Sequence, residues 1–312
     1  MIARVAAIDC GTNSIRLLVA DVDERARSLV DVDRRMEIVR LGQGVDRTGR
    51  LAPEALQRTF AACDTYADVI REHGVEDVRF VATSASRDAQ NRDEFVAGVV
   101  RRLGVEPEVI SGAEEARLSF TGATRGLMGV QEPYLVADIG GGSTELVLGF
   151  DEPIGVVAAR SVDIGCVRMT ERHFQDVDQA AAPTPGRVAA ATSDIDAALR
   201  SGLVVVPDGT VPTLIGLAGS VTTVAAIALG LQAYDPQAIH GSRISADAVR
   251  SISDRLLDMD RATRATIAVM HPGRVDVIGA GALILRRILD LTGLDEVVVS
   301  EHDILDGIAW SM

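Results

Sequence analysis

The sequence predicts an α/β protein of two domains, each a mixed sheet flanked by helices, with a ligand cleft between them. Three observations lead there. Segments with strand and helix periodicity alternate along the chain. After GLMGVQEP (126–133), a plausible hinge, the same pattern starts again. Finally, AIDCGTNSIRLLVAD (7–21) and VADIGGGSTELVLGF (136–150) share one design: apolar strand, aspartate, glycine-bearing polar turn, apolar strand. A chain of 312 residues is long enough for two separate cores, and inter-domain clefts are common ligand sites.

Taken in order, Val5–Asp9, Ile15–Asp21 and Leu29–Arg40 read as three strands separated by tight turns. A helix follows from Pro53, a residue suited to a first helical turn, to His73. Strand Val78–Thr83, helix 92–103, strand 106–110 and helix 112–124 complete the first domain. Its bounds are 1–124, joined by a C-terminal helix at 301–312; the second domain takes 125–300. There, strands Tyr134–Asp138, Glu145–Phe150 and Gly155–Val162 repeat the opening. Helical patterns follow around a Pro/Ala-rich break at 181–186. Next come a strand at 213–218, a helix opening near Ser220, a last strand Glu296–Ser300 and a short final helix.

The net charge of −14 argues against non-specific nucleic-acid binding and gives no long-range attraction for an anionic substrate. An anion must therefore meet a local basic or N–H site. All 31 basic residues are arginine, which excludes a Walker lysine and Schiff-base chemistry. Cys10, Cys63 and Cys166 are odd in number and far apart, as expected in a reducing cytoplasm. The N-terminal apolar stretch is too short for a signal peptide. Residues 211–234 carry no charge, but Pro212, Gly216, Gly219 and Gly230 divide them into strand, turn and buried helix, so no membrane association is expected. The five histidines show no metal-ligand spacing, and a homodimer is left open.

Gly140, Gly141 and Gly142 strip side chains from a turn bracketed by Asp138 and Glu145. Successive free N–H groups make a concave anion nest, most often for phosphate. Two acids beside a phosphate need a cation between them. Mg²⁺, with Mn²⁺ as an acceptable substitute, takes one or two carboxylates together with phosphate oxygens. In VISGAEEARLSF (109–120), Ser111 and Glu114 have capping-box spacing, which leaves Glu115 to orient and deprotonate water. The alternative is a solvated acid favoured by the helix dipole. Arg87, in FVATSASRDAQN (80–91), has the planar fork that suits phosphate oxygens. Gly219 and Ser220, in LIGLAGSVTTVA (214–225), could meet a phosphate at a helix N-terminus. No cysteine has a histidine nearby in sequence and no G-x-S-x-G elbow exists, so water attack on phosphorus is favoured over covalent catalysis.

Together AIDCGTNSIRLLVA (7–20), VATSASRDAQN (81–91), VISGAEEARLSF, ADIGGGSTEL (137–146), GLAGSVTTVA (216–225) and RVDVIGAGALIL (274–285) resemble the exopolyphosphatase and guanosine pentaphosphate phosphohydrolase family, in the actin-like ATPase superfamily. The resemblance covers nearly the whole chain. It implies two actin-like, ribonuclease H-like domains around an active-site cleft, Mg²⁺ dependence and stepwise release of terminal orthophosphate from inorganic polyphosphate. Guanosine pentaphosphate (pppGpp) or a nucleoside triphosphate is the alternative substrate, and a non-catalytic nucleotide-binding regulator the more distant one. By motif position Glu115 is the expected catalytic glutamate. Asp9, Asp138 and Glu145 are the expected metal acids. Gly11, Thr12, Asn13 and Ser14 form one phosphate loop and Gly140, Gly141, Gly142 and Ser143 the other, with Arg87 a phosphate contact. DIGCVRMTE (163–171) also resembles a family segment. One departure stands out: the closing motif offers Leu305 and Asp306 where the family usually has Arg then Glu. The chain resembles the family's short form, without the helical C-terminal region of longer relatives.

Overall fold

Alternation along the opening strands decides how the first sheet is buried. In β1 (Ala3–Cys10) and β2 (Ser14–Asp23), Ala6, Ile8, Cys10, Ile15, Leu17 and Val19 face one core, and Val5, Ala7, Leu18, Ala20 and Val22 face another. A sheet buried on both faces needs helices on both. The computed structural model describes residues 2–175, 181–207, 210 and 212–312, and it divides into two compact units. One runs to Gly122 and takes in Asp303–Met312; the other is Ala123–His302.

Unit 1 continues with β3 (Ser28–Ile38), α1 (Val45–Thr48), α2 (Pro53–Glu72), β4 (Asp77–Ala82), α3 (Ser84–Asp88), α4 (Arg92–Leu103), β5 (Glu108–Val109) and α5 (Gly112–Arg125). Its sheet has the order β3-β2-β1-β4-β5. β1–β2 and β2–β3 are antiparallel, whereas β1–β4 and β4–β5 are parallel. Leu56, Cys63 and Tyr66 of α2 and Phe95 of α4 fill the first core.

Unit 2 holds β6 (Tyr134–Ile139), β7 (Thr144–Gly149), β8 (Val156–Val162), α6 (Cys166–Met169), α7 (Pro185–Gly202), β9 (Thr213–Leu217), α8 (Ala218–Ala228), α9 (Pro236–Ile239), β10 (Arg243–Ser245), α10 (Ala246–Asp258), α11 (Arg261–Ala265), α12 (Ile278–Thr292) and β11 (Glu296–Val299). Its sheet order, β8-β7-β6-β9-β11-β10, repeats that of unit 1 and adds one strand. The directions match as well: β6–β7 and β7–β8 are antiparallel, β6–β9 and β9–β11 parallel. The internal repeat read from the letters is thus a repeat of topology, and the two expected mixed sheets flanked by helices are observed. The last helix, α13 (Ile304–Trp310), belongs to unit 1 and packs Ile304, Leu305 and Ile308 into its second core.

Two local expectations change. The helix expected to open near Ser220 opens at Ala218, which sits at φ +66°. A left-handed alanine costs roughly 1–2 kcal/mol, so its surroundings must hold it there. Short helices at 45–48 and 84–88 are too brief for their periodicity to be read from sequence. Among the described residues no helix is long and apolar enough to cross a membrane, and 213–228 form a strand and a buried helix.

Candidate active site

Both glycine turns are built the same way. Gly11 N–H donates to Ser14 O at 3.0 Å, and Gly140 N–H donates to Ser143 O at 3.1 Å. In each, the carbonyls are tied back by the segment that follows the third strand. Asn13 O accepts the N–H groups of Val39 (3.1 Å) and Arg40 (2.8 Å), and Thr12 O accepts that of Gly42 (2.9 Å). Gly140 O accepts Cys166 N–H (2.9 Å), while Gly141 O accepts Val167 N–H (2.9 Å) and Arg168 N–H (3.1 Å). Arg168 Nε adds a bond to Gly142 O at 2.7 Å. Among the described residues, the N–H groups of Thr12, Asn13, Gly141, Gly142 and Ser143 find no acceptor in these turn and loop bonds. A turn with its carbonyls anchored and its N–H groups left over has the makings of an anion nest. The packing behind the second turn is close: a Cβ on Gly165 would overlap the backbone of Gly141 and Gly142.

In unit 1, buried Thr12 and Ser84 share a hydroxyl hydrogen bond of 2.8 Å, which ties the first turn to α3. Three residues on, Arg87 Nη1 donates to Ile110 O (3.2 Å) and to Glu115 Oε2 (3.0 Å). Glu115 is 7% exposed and sits in the first turn of α5, where its N–H bonds Ser111 O at 3.0 Å. The expected capping box forms only in part. Ser111 Oγ accepts Glu114 N–H at 3.3 Å, but the Glu114 carboxylate binds Arg117. Glu115 is thus a buried carboxylate clamped to the predicted phosphate arginine.

Asp9, one of the expected metal acids, has an arginine partner. Across the β1–β2 ladder it faces Arg16, whose Nε (3.1 Å) and Nη2 (2.6 Å) both reach Asp9 Oδ2. Burial pushes the Asp9 carboxyl up, and Arg16 pulls it back. At the equivalent ladder position of unit 2, Asp138 faces Glu145. Both are buried, and Glu145 Oε1 also accepts the Ser161 hydroxyl at 2.7 Å. Among the described residues no group of three or more His, Cys, Asp or Glu side chains is placed to hold a metal. Two opposed carboxylates beside an anion nest suit a hard cation that keeps water and takes substrate oxygens, not an all-protein cage.

Gly219 and Ser220 join the second turn through Cys166. The Cβ position of Gly281 lies against both Ser220 and Cys166, and the Cys166 backbone N–H holds Gly140 O. A Cβ on Gly281 of α12 would overlap Ser220, and one on Gly219 would fall on the Arg274 guanidinium. Arg16, Arg168 and Arg274 lie within the sequence motifs, but nothing in the letters assigns any of them a role. The ladder register of Arg16, seven residues after Asp9 as Glu145 is seven after Asp138, was the available signal. The three thiols are buried, and burial pushes each above its ordinary value, Cys63 to about 12, so none is poised as a thiolate nucleophile. A cavity of about 1020 Å³ in unit 2, lined by Val188, Thr192 and Arg200 of α7 and Asp254 and Leu257 of α10, shares no residue with these turns.

Comparison with known proteins decides the family. The model of the Ppx/GppA phosphatase family matches residues 18–312. The chain belongs to the Ppx/GppA phosphatase family. Exopolyphosphatase 2 of Mycobacterium tuberculosis is 50% identical, with 100% of this chain and 99% of that protein covered. A guanosine-5'-triphosphate,3'-diphosphate pyrophosphatase of Vibrio atlanticus is 30% identical over 98% of this chain and 59% of its own length. Among solved structures, the Aquifex aeolicus PPX-GPPA enzyme superposes with a TM-score of 0.81 at 32% identity, each chain covered in full. The Leu305 and Asp306 of this Ppx/GppA chain have a structural account. Asp306 is fully buried, accepts the Asp303 N–H at 2.9 Å, and binds Arg34 Nη2 at 2.6 Å. In this chain, β3 supplies an arginine to the closing helix.

Proposed function

We propose that the chain is an Mg²⁺-dependent exopolyphosphatase that removes terminal orthophosphate from inorganic polyphosphate. The observation that carries this reading is the buried Glu115, held by Arg87 in the unit whose glycine turn presents N–H groups. Glu115 accepts a proton from water as the water oxygen attacks the terminal phosphorus in line. The P–O bond to the shortened chain breaks, and that chain leaves with its negative charge. Arg87 and the N–H groups of the first turn hold the non-bridging oxygens and stabilise the charge that builds up on them. Mg²⁺ would be held by Asp138 and Glu145, and when bound it neutralises charge on the phosphate oxygens.

Guanosine pentaphosphate is the second reading, supported by the 30% identity to the Vibrio relative over 98% of this chain. A substrate panel decides between them. Phosphate release is measured with polyphosphates of defined length, guanosine pentaphosphate and nucleoside triphosphates under saturating Mg²⁺. The exopolyphosphatase reading expects the highest kcat/KM on a polyphosphate, and a higher value on guanosine pentaphosphate would overturn it.

A further inference from the structure

The final ten residues return to the sheet face that carries the helix of Glu115. On that face Val5, Ala7, Leu18 and Ala20 pack with Leu118 of α5 and with Ile304, Leu305 and Ile308 of α13. Strand alternation places Asp9 and Arg16 on the same side. Arg16 does more there than pair with Asp9. Its Nη1 bonds Asp303 Oδ2, so one guanidinium spans two carboxylates that are 4% and 5% exposed. Asp303 is the N-cap of α13, accepting Leu305 N–H at 3.0 Å, and Asp306 completes a reciprocal capping box.

α13 in turn touches α5 backbone to backbone. A Cβ on Gly122 would overlap the Asp303 carbonyl oxygen, and one on Gly307 would overlap that of Leu118. A continuous set of contacts therefore runs from the first glycine turn through Asp9, Arg16 and the Asp303 cap to α5, whose first turn carries Glu115.

We propose that Arg16 is a positioning residue for hydrolysis: by clamping the α13 cap to Asp9, it fixes Glu115's helix relative to the turn that holds phosphate. The inference rests on the reading of Glu115 as the base. An arginine is needed because its rigid fork reaches both carboxylates in one plane, whereas lysine offers a single compact charge. The residue acts through packing, at one remove from the substrate.

The test uses the full chain with saturating Mg²⁺ and a short polyphosphate. Kinetics and thermal unfolding are measured for Arg16→Met, Arg16→Lys and Asp303→Asn, with Glu115→Gln alongside. Since a misplacement near 1 Å costs about 10²-fold in rate, Arg16→Met should lower kcat by about that factor and leave KM within about threefold. Arg16→Lys should unfold at nearly the wild-type temperature yet recover less than about tenfold of the lost kcat, because it restores charge without the two-sided reach. Asp303→Asn keeps a good cap and should show the same split between kcat and KM. If Arg16→Met fails to fold, the two conservative variants decide. Wild-type kcat in the folded Lys and Asn variants would overturn the proposal. So would a rise in KM at unchanged kcat, which would make Arg16 a substrate ligand. Failure of the underlying reading is visible separately, as near-normal turnover in Glu115→Gln.

Discussion

Arg87 Nη1 lies 3.0 Å from Glu115 Oε2 and 3.2 Å from the carbonyl oxygen of Ile110. One nitrogen thus ties the end of β5 to the first turn of α5 and fixes the orientation of a buried carboxylate. In the proposed reaction, a carboxylate fixed before substrate arrives would need no reorganisation to act as the base. The pair also links two roles that the sequence assigned separately, proton acceptor and phosphate contact.

Replacing Glu115 with Gln keeps shape and much of the hydrogen bonding but removes the proton acceptor. kcat should fall roughly 10²–10⁴-fold, the usual range for a general base, while polyphosphate binding persists. Steady-state kinetics and binding of a short polyphosphate to the variant check both halves. Turnover near wild type would reject Glu115 as the base.

Arg87 carries two loads, so its loss should show in two parameters. Arg87→Met should raise KM through the lost phosphate contact and lower kcat through the released Glu115. Arg87→Lys should restore part of KM, since a point charge still attracts phosphate. It should restore less of kcat, since lysine cannot reproduce the planar fork. Equal recovery of both parameters would separate Arg87 from the base.

The parts of this site legible in the sequence are those whose chemistry is local. The glycine turns, their bracketing acids and the restart at Tyr134 are short-range patterns, and both turns form with the same hydrogen bond. Asp9 was harder. Its partner Arg16 is seven residues away across a ladder, and Asp303 lies near the far end of the chain, so the ion pairs that claim Asp9 depend on long-range register and on the return of α13. Arg274 is similar: only packing brings it over Gly219, 55 positions earlier in the chain. Glu114 and Glu115 were adjacent acids with one capping job between them, and burial with Arg87 separates their roles.

Metal dependence should divide the three candidate acids. Activity should vanish with EDTA and return with Mg²⁺ or Mn²⁺. Asp138→Ala and Glu145→Ala should each raise the half-activating Mg²⁺ concentration by about tenfold or more, because one of two opposed carboxylates is lost. Asp9→Asn should lower kcat at an unchanged Mg²⁺ requirement, since Arg16 already holds Asp9 Oδ2. A Mg²⁺ titration of each variant measures the division, and a shifted requirement in Asp9→Asn alone would reassign the metal.

The α13 cap predicts a pH dependence of stability. Burial alone would raise the Asp303 carboxyl, but Arg16, Arg34 and the Leu305 N–H outweigh it and hold the group below the ordinary carboxylate range. A carboxylate with a lowered folded pKa adds stability above its unfolded value, about 3.9, and loses it as pH falls through the folded value. The difference in unfolding temperature between wild type and Asp303→Asn should therefore be constant from pH 7 to about 5, then shrink below about pH 4. Thermal scans across that range check the sign. A gap that widens on acidification would contradict the assignment.

Chain-length preference follows from where the arginines are spent. A long polyanion held over many phosphates needs an extended basic track, as nucleic acids do, because each contact adds counterion release to affinity. This chain has a net charge of −14 and no lysine. Many of its arginines are committed to its own carboxylates: Arg4 to Asp21, Arg34 to Asp306, Arg79 to Glu108, Arg243 to Glu296, Arg250 to Asp290 and Arg287 to Asp196. Arginines paired in this way do not also line such a track. Short polyphosphates should therefore be hydrolysed with higher kcat/KM than chains of hundreds, and product should leave after each cleavage. Gel analysis of a long-chain digest at low conversion reads the outcome. Gradual shortening of every chain is expected, whereas intact long chains beside fully degraded ones would demonstrate processive hydrolysis and overturn the prediction.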